Sequence, residues 1–160
     1  ASVATTLYFV AERAGSQGYE RILAGQGADE LFGGYARYLQ TNTLAEDMER
    51  DFLCLKDQAA RDQAVAALHG AYFSLPYMDI RVVQVARAMP PEDKIRDGVR
   101  KRPLRDVASR YMPASIAYYD KKAMQYGSGI WKEIQRLANK AGYKKSVQEY
   151  LIRAAKSDEM

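Results

Sequence analysis

The sequence contains few of the residues on which several kinds of site depend. Its 160 residues include one cysteine, Cys54, and one histidine, His69. A single cysteine cannot form an internal disulfide, and no cysteines and histidines have the spacing of a zinc site. One histidine also leaves little scope for a histidine-based catalytic triad. We therefore expect neither a disulfide scaffold nor a zinc protein, and we expect Cys54 to be a small buried residue.

Long apolar segments are missing as well. No unbroken run of about 18 apolar residues occurs, so the sequence predicts no membrane span. No basic segment followed by an apolar one opens the chain, and we expect a cytosolic protein. The hydrophobic content of 48% is enough for one cored domain at this length.

Charge gives weaker guidance. The net charge is +4 and the isoelectric point is near 9.1, but most basic residues alternate with acids. Two local clusters stand out, Arg100–Arg102 with Arg105 and Lys121-Lys122. They fit a discrete anion site or a solvated surface better than a duplex-binding stripe. Because nothing resembles a groove-reading motif, we expect no nucleic-acid partner.

Helical periodicity dominates the chain, and the predicted fold class is mainly α with one or two short strands. Helices are expected at residues 2–14, 29–40, 44–55, 79–89, 103–111, 130–141 and 144–157. Residues 20–24, a short apolar run between glycines, form the one convincing strand. Since a lone strand leaves its backbone groups unpaired, we expect it to pair with another polypeptide or to belong to something larger.

The most informative stretch follows this strand. Gly25, Gln26 and Gly27 lead into Asp29 at a predicted helix start, which is the layout of a ligand site at the carboxyl end of a strand. Glycines let a ligand approach the backbone, and amides at a helix start favour anions. Asp29 either caps the helix or holds a divalent cation that bridges phosphates. The Gly-x-x-x-x-Gly-Lys-[Ser/Thr] pattern of a P-loop does not occur.

Four segments, in order, resemble the signatures of asparagine synthetases and the related β-lactam and carbapenam synthetases. "LAGQGADELFGGY" at residues 23–35 resembles "SGEGADELFGGY", and "SLPYMD" at 74–79 resembles "RVPFLD". "KRPLR" at 101–105 is similar to "KxxLR", and residues 112–129 are similar to "LPxxIxxRxKxxFxxGxG". The resemblance spans most of residues 20–130.

The resemblance implies half of an α/β ATP-pyrophosphatase domain. Residues 1–160 would be its C-terminal portion, with the last sheet strand and flanking helices in 1–40 and a helical subdomain in 41–160. Family members use ATP and Mg²⁺ to convert a carboxylate into an acyl-adenylate, which an amine then attacks. The resemblance makes Asp29 the magnesium ligand, makes Lys121 a catalytic cation, and places Gly127 at the ligand with Gly25 and Gly27. Without the resemblance, Lys121 reads as a solvated charge beside Lys122.

Three further residues are candidates for binding substrate or phosphate. Lys101 and Arg105 lie one helical turn apart and can face the same way. They face phosphate, or they pair with surface acids such as Asp97 and Asp106. Asp79 matches the last residue of the "RVPFLD" motif, but a role as a helix cap is expected.

Departures from the family pattern limit the prediction. Gln26 replaces a glutamate that resembles the base in asparagine synthetases, and a neutral amide is a poor proton acceptor. Ser74 replaces an arginine and weakens the case for aspartate as the substrate. Nothing resembles the pyrophosphate loop "SGGxDSS" or the glutaminase domain. We therefore expect the missing half on the same or another chain, and no activity from residues 1–160 alone.

Two rival hypotheses remain open. The complete protein could amidate or cyclise another carboxylate, which Gln26 and Ser74 motivate. The chain could also be a non-catalytic interaction subunit that docks through the edge of its strand. If the protein is either of the two ligases, its partners are small molecules: ATP, aspartate or another carboxylate, and ammonia. Self-association is possible, although no residue argues for it.

Overall fold

The computed structural model describes residues 2–120, 124–144 and 146–157, and it confirms a mainly helical chain with few short strands. In chain order, the elements are α1 (Ser2–Ser16), β1 (Arg21–Leu23), α2 (Ala28–Phe32), α3 (Leu44–Leu53), α4 (Leu55–Ala67), β2 (Tyr72–Ser74), α5 (Ile80–Ala88), α6 (Pro91–Lys94), β3 (Ile95–Arg96), β4 (Val99–Arg100), α7 (Arg102–Ala108), α8 (Ala114–Ala117), α9 (Met124–Gly127), α10 (Ile130–Lys140) and α11 (Val147–Ser157). Two 3₁₀ turns, Ala36–Leu39 and Pro76–Met78, complete them.

The predicted strand pairs within the chain, so the interpretation of it as a lone strand is wrong, and its membership of a larger sheet stays a prediction. β1 pairs in parallel with β2, with Ile22 opposite Phe73. β2 was not predicted from the sequence because this strand has only three residues and runs directly into the "SLPYMD" segment. A second sheet is the antiparallel hairpin of β3 and β4, whose turn is Asp97-Gly98. Both turn residues have positive φ, as a two-residue hairpin turn requires.

The helix expected over residues 29–40 is also wrong in its extent. α2 ends at Phe32 because Gly33 adopts φ 71°, a left-handed conformation that terminates a helix. A separate 3₁₀ turn begins at Ala36. The break places Gly34 against the Asp29 side chain, where a Cβ would lie 1.8 Å from Oδ1. A side chain at position 34 would therefore displace the Asp29 carboxylate and the end of the Lys101 side chain.

Two hydrophobic clusters hold the elements together. The first is centred on Leu7, Ala66 and Phe73, and it packs α1 and α4 against one face of the β1–β2 sheet. The second is centred on Leu31 and Phe32 of α2, which pack against α5 and α7. β1 contributes to the first cluster and leads into α2, which contributes to the second. The candidate site lies between the two clusters. The division into residues 1–40 and 41–160 stays a prediction.

Other local expectations have mixed outcomes. Asp79 caps α5 as predicted, since its side chain accepts a hydrogen bond from the backbone N–H of Arg81. Pro103 lies in the first turn of α7, where the missing N–H costs nothing. Cys54 is exposed between α3 and α4, so the expectation that it is buried is wrong. Among the described residues, no helix is long and apolar enough to cross a bilayer.

Candidate active site

A cavity of about 530 Å³ opens at the carboxyl end of β1. Its lining includes the predicted residues Gly25, Gln26, Gly27, Asp29 and Lys101. The chain folds this way locally because Gly27, with φ 90°, turns the backbone from the strand into α2. A Cβ at Gly27 would lie 3.2 Å from Met78 Cγ, so the turn is also closely packed. The structure thus brings together five of the residues predicted from sequence.

Asp29 and Lys101 form an ion pair at this cavity. Lys101 Nζ lies 2.7 Å from Asp29 Oδ1, and both side chains are about one-fifth exposed. Lys101 precedes α7 with φ 55°, a left-handed conformation that costs a non-glycine residue about 1–2 kcal/mol. Unlike Asp97, it is not part of the hairpin turn. With this backbone conformation, Lys101 at the start of α7 places its ammonium next to Asp29 of α2.

The Asp29 carboxylate fits the proposed metal role. It is accessible from the cavity and already faces one cation, the Lys101 ammonium. The described residues contain no group of three or more histidine, cysteine, aspartate or glutamate side chains able to hold a metal. Mg²⁺ at nucleotide sites is typically held by one or two carboxylates together with substrate phosphates and water. A single carboxylate therefore fits a metal that arrives with a nucleotide, and the described part of the chain offers no protein-only metal cage.

Arg105 lies beside this site but uses its guanidinium differently from the prediction. Its Nε donates to the carbonyl of Arg100 at 2.9 Å, and its Nη1 donates to the carbonyls of Ala117 and Tyr119 at 3.1 and 3.2 Å. A neighbouring pocket of about 350 Å³ is lined by Arg105 together with Gly25 and Lys101. Arg105 thus ties the 117–119 segment to α7.

The predicted pairing with surface acids belongs instead to Arg102. Its guanidinium contacts Asp106 at 2.9 Å and Asp97 at 3.7 Å. The sequence placed three basic residues within five positions, and helical geometry decides which of them faces the acids. The alternative in which Lys101 or Arg105 pairs with Asp97 or Asp106 is therefore wrong, and the alternative in which they face phosphate stays a prediction.

Asp79 lies apart from the cavity, in a groove of about 590 Å³ beyond β2. Arg81 donates to its carboxylate through Nε at 2.9 Å and Nη2 at 2.8 Å. These hydrogen bonds lower the pKa of Asp79 to about 2. Arg21 also lines this groove and donates to Ser74 Oγ at 3.0 Å. The guanidinium of Arg21 therefore lies next to position 74, although residue 74 itself is a serine.

The C-terminal motif is only partly described. Gly127 is the last residue of α9, and Met124 of the same helix lines the main cavity. This places the first residue of α9 at the cavity. Lys121, the predicted catalytic cation, lies outside the described residues. Its role stays a prediction.

Sequence reasoning missed two acids near the cavity. Glu30 is 5% exposed and accepts a hydrogen bond from Tyr35 Oη at 2.5 Å. Burial and this bond to Glu30 raise the pKa of Tyr35, so the phenol stays protonated. Asp62 is 1% exposed and bonds to Gln26 and Arg61. A signal for Asp62 was available, because it lies at helical spacing between the buried Leu55 and Ala66.

Comparison with known proteins identifies relatives of this chain. The asparagine synthase family model matches residues 1–62 and 52–160. A protein of Methanocaldococcus jannaschii named as a glutamine-hydrolyzing asparagine synthetase is 34% identical over 93% of this chain and 35% of its own length. Asparagine synthetase B of Escherichia coli is 30% identical over 78% of this chain and 24% of its own length.

A third relative widens the comparison. An asparagine synthetase domain-containing protein of Saccharomyces cerevisiae is 33% identical over 67% of this chain and 21% of its own length. The chain belongs to the asparagine synthase family. It spans about a third or less of the length of these relatives.

Proposed function

We propose that the complete protein is an ATP-dependent carbon-nitrogen ligase that activates a carboxylate, with aspartate favoured, and then forms an amide. In this reaction the carboxylate attacks the α-phosphate of ATP, which gives an acyl-adenylate and pyrophosphate. An amine then displaces AMP from the acyl carbon. The observation that carries the proposal is the Asp29–Lys101 ion pair at a glycine-lined cavity beyond β1.

Asp29 is proposed to hold Mg²⁺, which would neutralise charge on the pyrophosphate when bound. The carboxylate lies in the first turn of α2, one residue past its start. Gly25 and Gly27 leave the backbone of the turn open to the nucleotide. Gly34 contributes by its lack of a side chain, which lets the Asp29 carboxylate occupy its position.

We propose that some of the cationic groups bind the substrate and that another positions a neighbouring segment. Lys101 would contact phosphate oxygens from beside Asp29, because its ammonium already lies at the cavity. Arg105 would position the segment that leads to Lys121 through its bonds to the carbonyls of Ala117 and Tyr119. Lys121 would stabilise negative charge that develops on the acyl oxygen or the phosphates, with Gly127 downstream at the ligand.

The site needs a second half, which we propose to lie in the rest of the protein. Parallel sheets are normally covered on both faces, yet the described residues pack against only one face of the two-stranded sheet. Leu23 is 71% exposed on β1 and Tyr72 is 50% exposed on β2. Further strands and a nucleotide-binding loop would cover these residues and complete the adenosine site.

Two residues, Gln26 and Ser74, bear on the identity of the carboxylate and of the amine. Gln26 argues for a different handling of the amine, and Ser74 argues for a different substrate. Arg21 weakens the second argument, because its guanidinium lies at Ser74. A related synthetase that amidates or cyclises another carboxylate therefore stays the alternative.

Pyrophosphate release by the complete protein tests the proposal. The protein would be supplied with Mg²⁺, ATP and a panel of carboxylates, with ammonia or glutamine added in turn. We expect release that depends on one carboxylate, with aspartate the first candidate, and amide formation only when the amine is present. If the complete protein neither binds Mg²⁺-ATP nor releases pyrophosphate with any carboxylate, a non-catalytic role replaces the proposal.

A further inference from the structure

A second cavity, of about 190 Å³, lies between α2, α3, α5 and α6 and has no part in the proposed reaction. Glu30 of α2 lines both this cavity and the main one. The apolar wall of the second cavity consists of Leu31, Met48, Phe52 and Met89. Drug-sized ligands occupy pockets of about 300–1,000 Å³, so a cavity of this size fits a smaller molecule.

Lys94 is a buried cation at this cavity. It is the last residue of α6 and is 6% exposed. Among the described residues, its ammonium forms no hydrogen bond or ion pair. Burial and the positive charge of Arg87 lower the pKa of Lys94, whereas the carboxylate of Glu49 acts in the opposite direction. A buried charge is costly unless it is paired, so a ligand with a negative group would supply the pairing that Lys94 lacks.

Arg87 and Glu49 form the solvent-facing side of the cavity. Arg87 Nη2 lies 3.1 Å from Glu49 Oε1, and each side chain is nearly half exposed. The Arg87 guanidinium also lies over the ring of Phe52, 4.6 Å from its centroid. Exposed ion pairs of this kind contribute little free energy. Glu49 can therefore exchange part of its contact with Arg87 for a contact with a ligand at little cost.

The charges that line the cavity balance one another. They are two cations, Arg87 and Lys94, and two carboxylates, Glu30 and Glu49. A simple anion would be repelled by both carboxylates, and a simple cation would be repelled by both cations. A ligand that carries both signs on neighbouring atoms can place each charge against its opposite. The lining therefore favours a zwitterion over a simple ion.

We propose that this cavity is a binding site for a zwitterionic amino acid with a small uncharged side chain. The carboxylate of the amino acid contacts the Lys94 ammonium, and its own ammonium contacts the Glu49 carboxylate. The side chain packs against Met48 and Phe52. The site goes beyond the proposed ligase function and does not depend on it, because binding at this cavity needs neither ATP nor the Asp29 site.

Isothermal titration calorimetry of the complete protein with three matched probes tests the site. The probes are L-alanine, propionate, which lacks the ammonium, and ethylamine, which lacks the carboxylate. The variants are Lys94→Met and Glu49→Gln. Lys56→Met is the control, because Lys56 is an exposed lysine in the first turn of α4. Thermal unfolding of each variant, with and without L-alanine, reports on folding.

We expect L-alanine to bind with a Kd of about 1 mM or below. Propionate and ethylamine should each bind at least about 10-fold more weakly, since each lacks one charged hydrogen-bonding group. Lys94→Met should weaken L-alanine binding about 10- to 100-fold, and Glu49→Gln about 10-fold. Lys56→Met should bind L-alanine as the unaltered protein does. Without ligand, Lys94→Met should unfold at the same or a higher temperature, because it removes a buried charge that lacks a partner.

Several results would overturn the proposal. One is the absence of saturable L-alanine binding at concentrations well above 1 mM. Another is equal binding by Lys94→Met and the unaltered protein. Propionate that binds as tightly as L-alanine would indicate a simple anion site instead. Since Glu49 is exposed, Glu49→Gln and the three probes keep the test decisive even if Lys94→Met does not fold. None of these measurements requires pyrophosphate release, so a failure of the proposed ligase function is detected separately.

Discussion

Segment 21–35 carries four predicted site residues and segment 111–126 carries one, Lys121, and the described side chains of the two segments differ in their burial. In the first, Glu30 and Phe32 are about 95% buried, and Asp29 is ion-paired. In the second, large apolar side chains face outward. The exposed fractions are 83% for Tyr111, 60% for Ile116, 67% for Tyr119 and 62% for Tyr126.

This contrast indicates which parts of the site the chain organises alone. Within segment 21–35, β1 pairs with β2, and α2 packs against α3, α5 and α7 of the same chain. Segment 111–126 exposes an apolar surface of a kind that marks interaction sites. Arg105 holds its middle part through bonds to the carbonyls of Ala117 and Tyr119. We expect this second segment to gain its final contacts from the rest of the protein.

The largest effect is expected at Asp29. Replacing Asp29 with asparagine removes the charge that would hold Mg²⁺ while the side chain keeps its size. We expect pyrophosphate release by the complete protein to fall about 100-fold or more, as for loss of a principal electrostatic contact. Glu46→Gln is the control, because Glu46 is an exposed acid in the first turn of α3. Activity within about threefold of normal in Asp29→Asn would remove Asp29 from the site.

Lys101 allows charge and backbone strain to be separated. Lys101→Met removes the ammonium and keeps a side chain at φ 55°, whereas Lys101→Gly removes the ammonium and relieves that strain. We expect both variants to raise the KM for ATP, about 10- to 100-fold. Lys101→Gly should unfold at a temperature equal to or above that of Lys101→Met. Normal ATP kinetics in Lys101→Met would rule out the phosphate contact.

The contrast between the two segments also predicts different losses of stability when a side chain of each is replaced by alanine. Phe32→Ala removes a buried ring packed 6.1 Å from that of Tyr77, and should destabilise by about 3–5 kcal/mol. Tyr111→Ala should cost less than about 0.5 kcal/mol in residues 1–160 alone, because the ring is exposed. Calorimetry would measure both. A larger cost for Tyr111→Ala in the complete protein would show that the missing part covers it.

The smallest effect concerns Asp79. Its pKa is lowered to about 2 by the hydrogen bonds from Arg81, whereas an unfolded aspartate titrates near 3.9. A lowered carboxyl pKa adds stability that is fully present above about pH 3.9 and is lost as the pH falls through about 2. Asp79→Asn should therefore lower the melting temperature slightly at pH 7, and this difference should shrink between pH 4 and pH 2. A difference independent of pH would contradict the ionic origin.

Much of the fold could be predicted because its signals are local. The helices at α1, α5, α7 and α10 follow from periodicity, caps and prolines, which are encoded within a few residues. β2 escaped notice because three residues carry no clear alternation, and its pairing with β1 depends on contact across 51 positions, from Arg21 to Tyr72. The end of α2 depends on the conformation of Gly33, which the "FGG" sequence permits but does not require.

The sequence predicts which residues belong to the site better than it predicts the contacts between them. Gly25, Gln26, Gly27, Asp29 and Lys101 were identified and do meet at one cavity. Their pairing could not be predicted, because Lys101 reaches Asp29 only through a strained backbone conformation. The same holds for Gln26 and Asp62, which lie 36 residues apart in sequence and bond through side chains. Long-range side-chain contacts of this kind have no local signature.

Titration of Mg²⁺-ATP, followed by pyrophosphate release, tests the central claim most directly. The comparison is between the complete protein, its Asp29→Asn variant and residues 1–160 alone. The account predicts that the complete protein binds the nucleotide and releases pyrophosphate with one carboxylate. Asp29→Asn should release almost none, and residues 1–160 alone should release none. Release by residues 1–160 alone, or equal release with and without the Asp29 carboxylate, would contradict it.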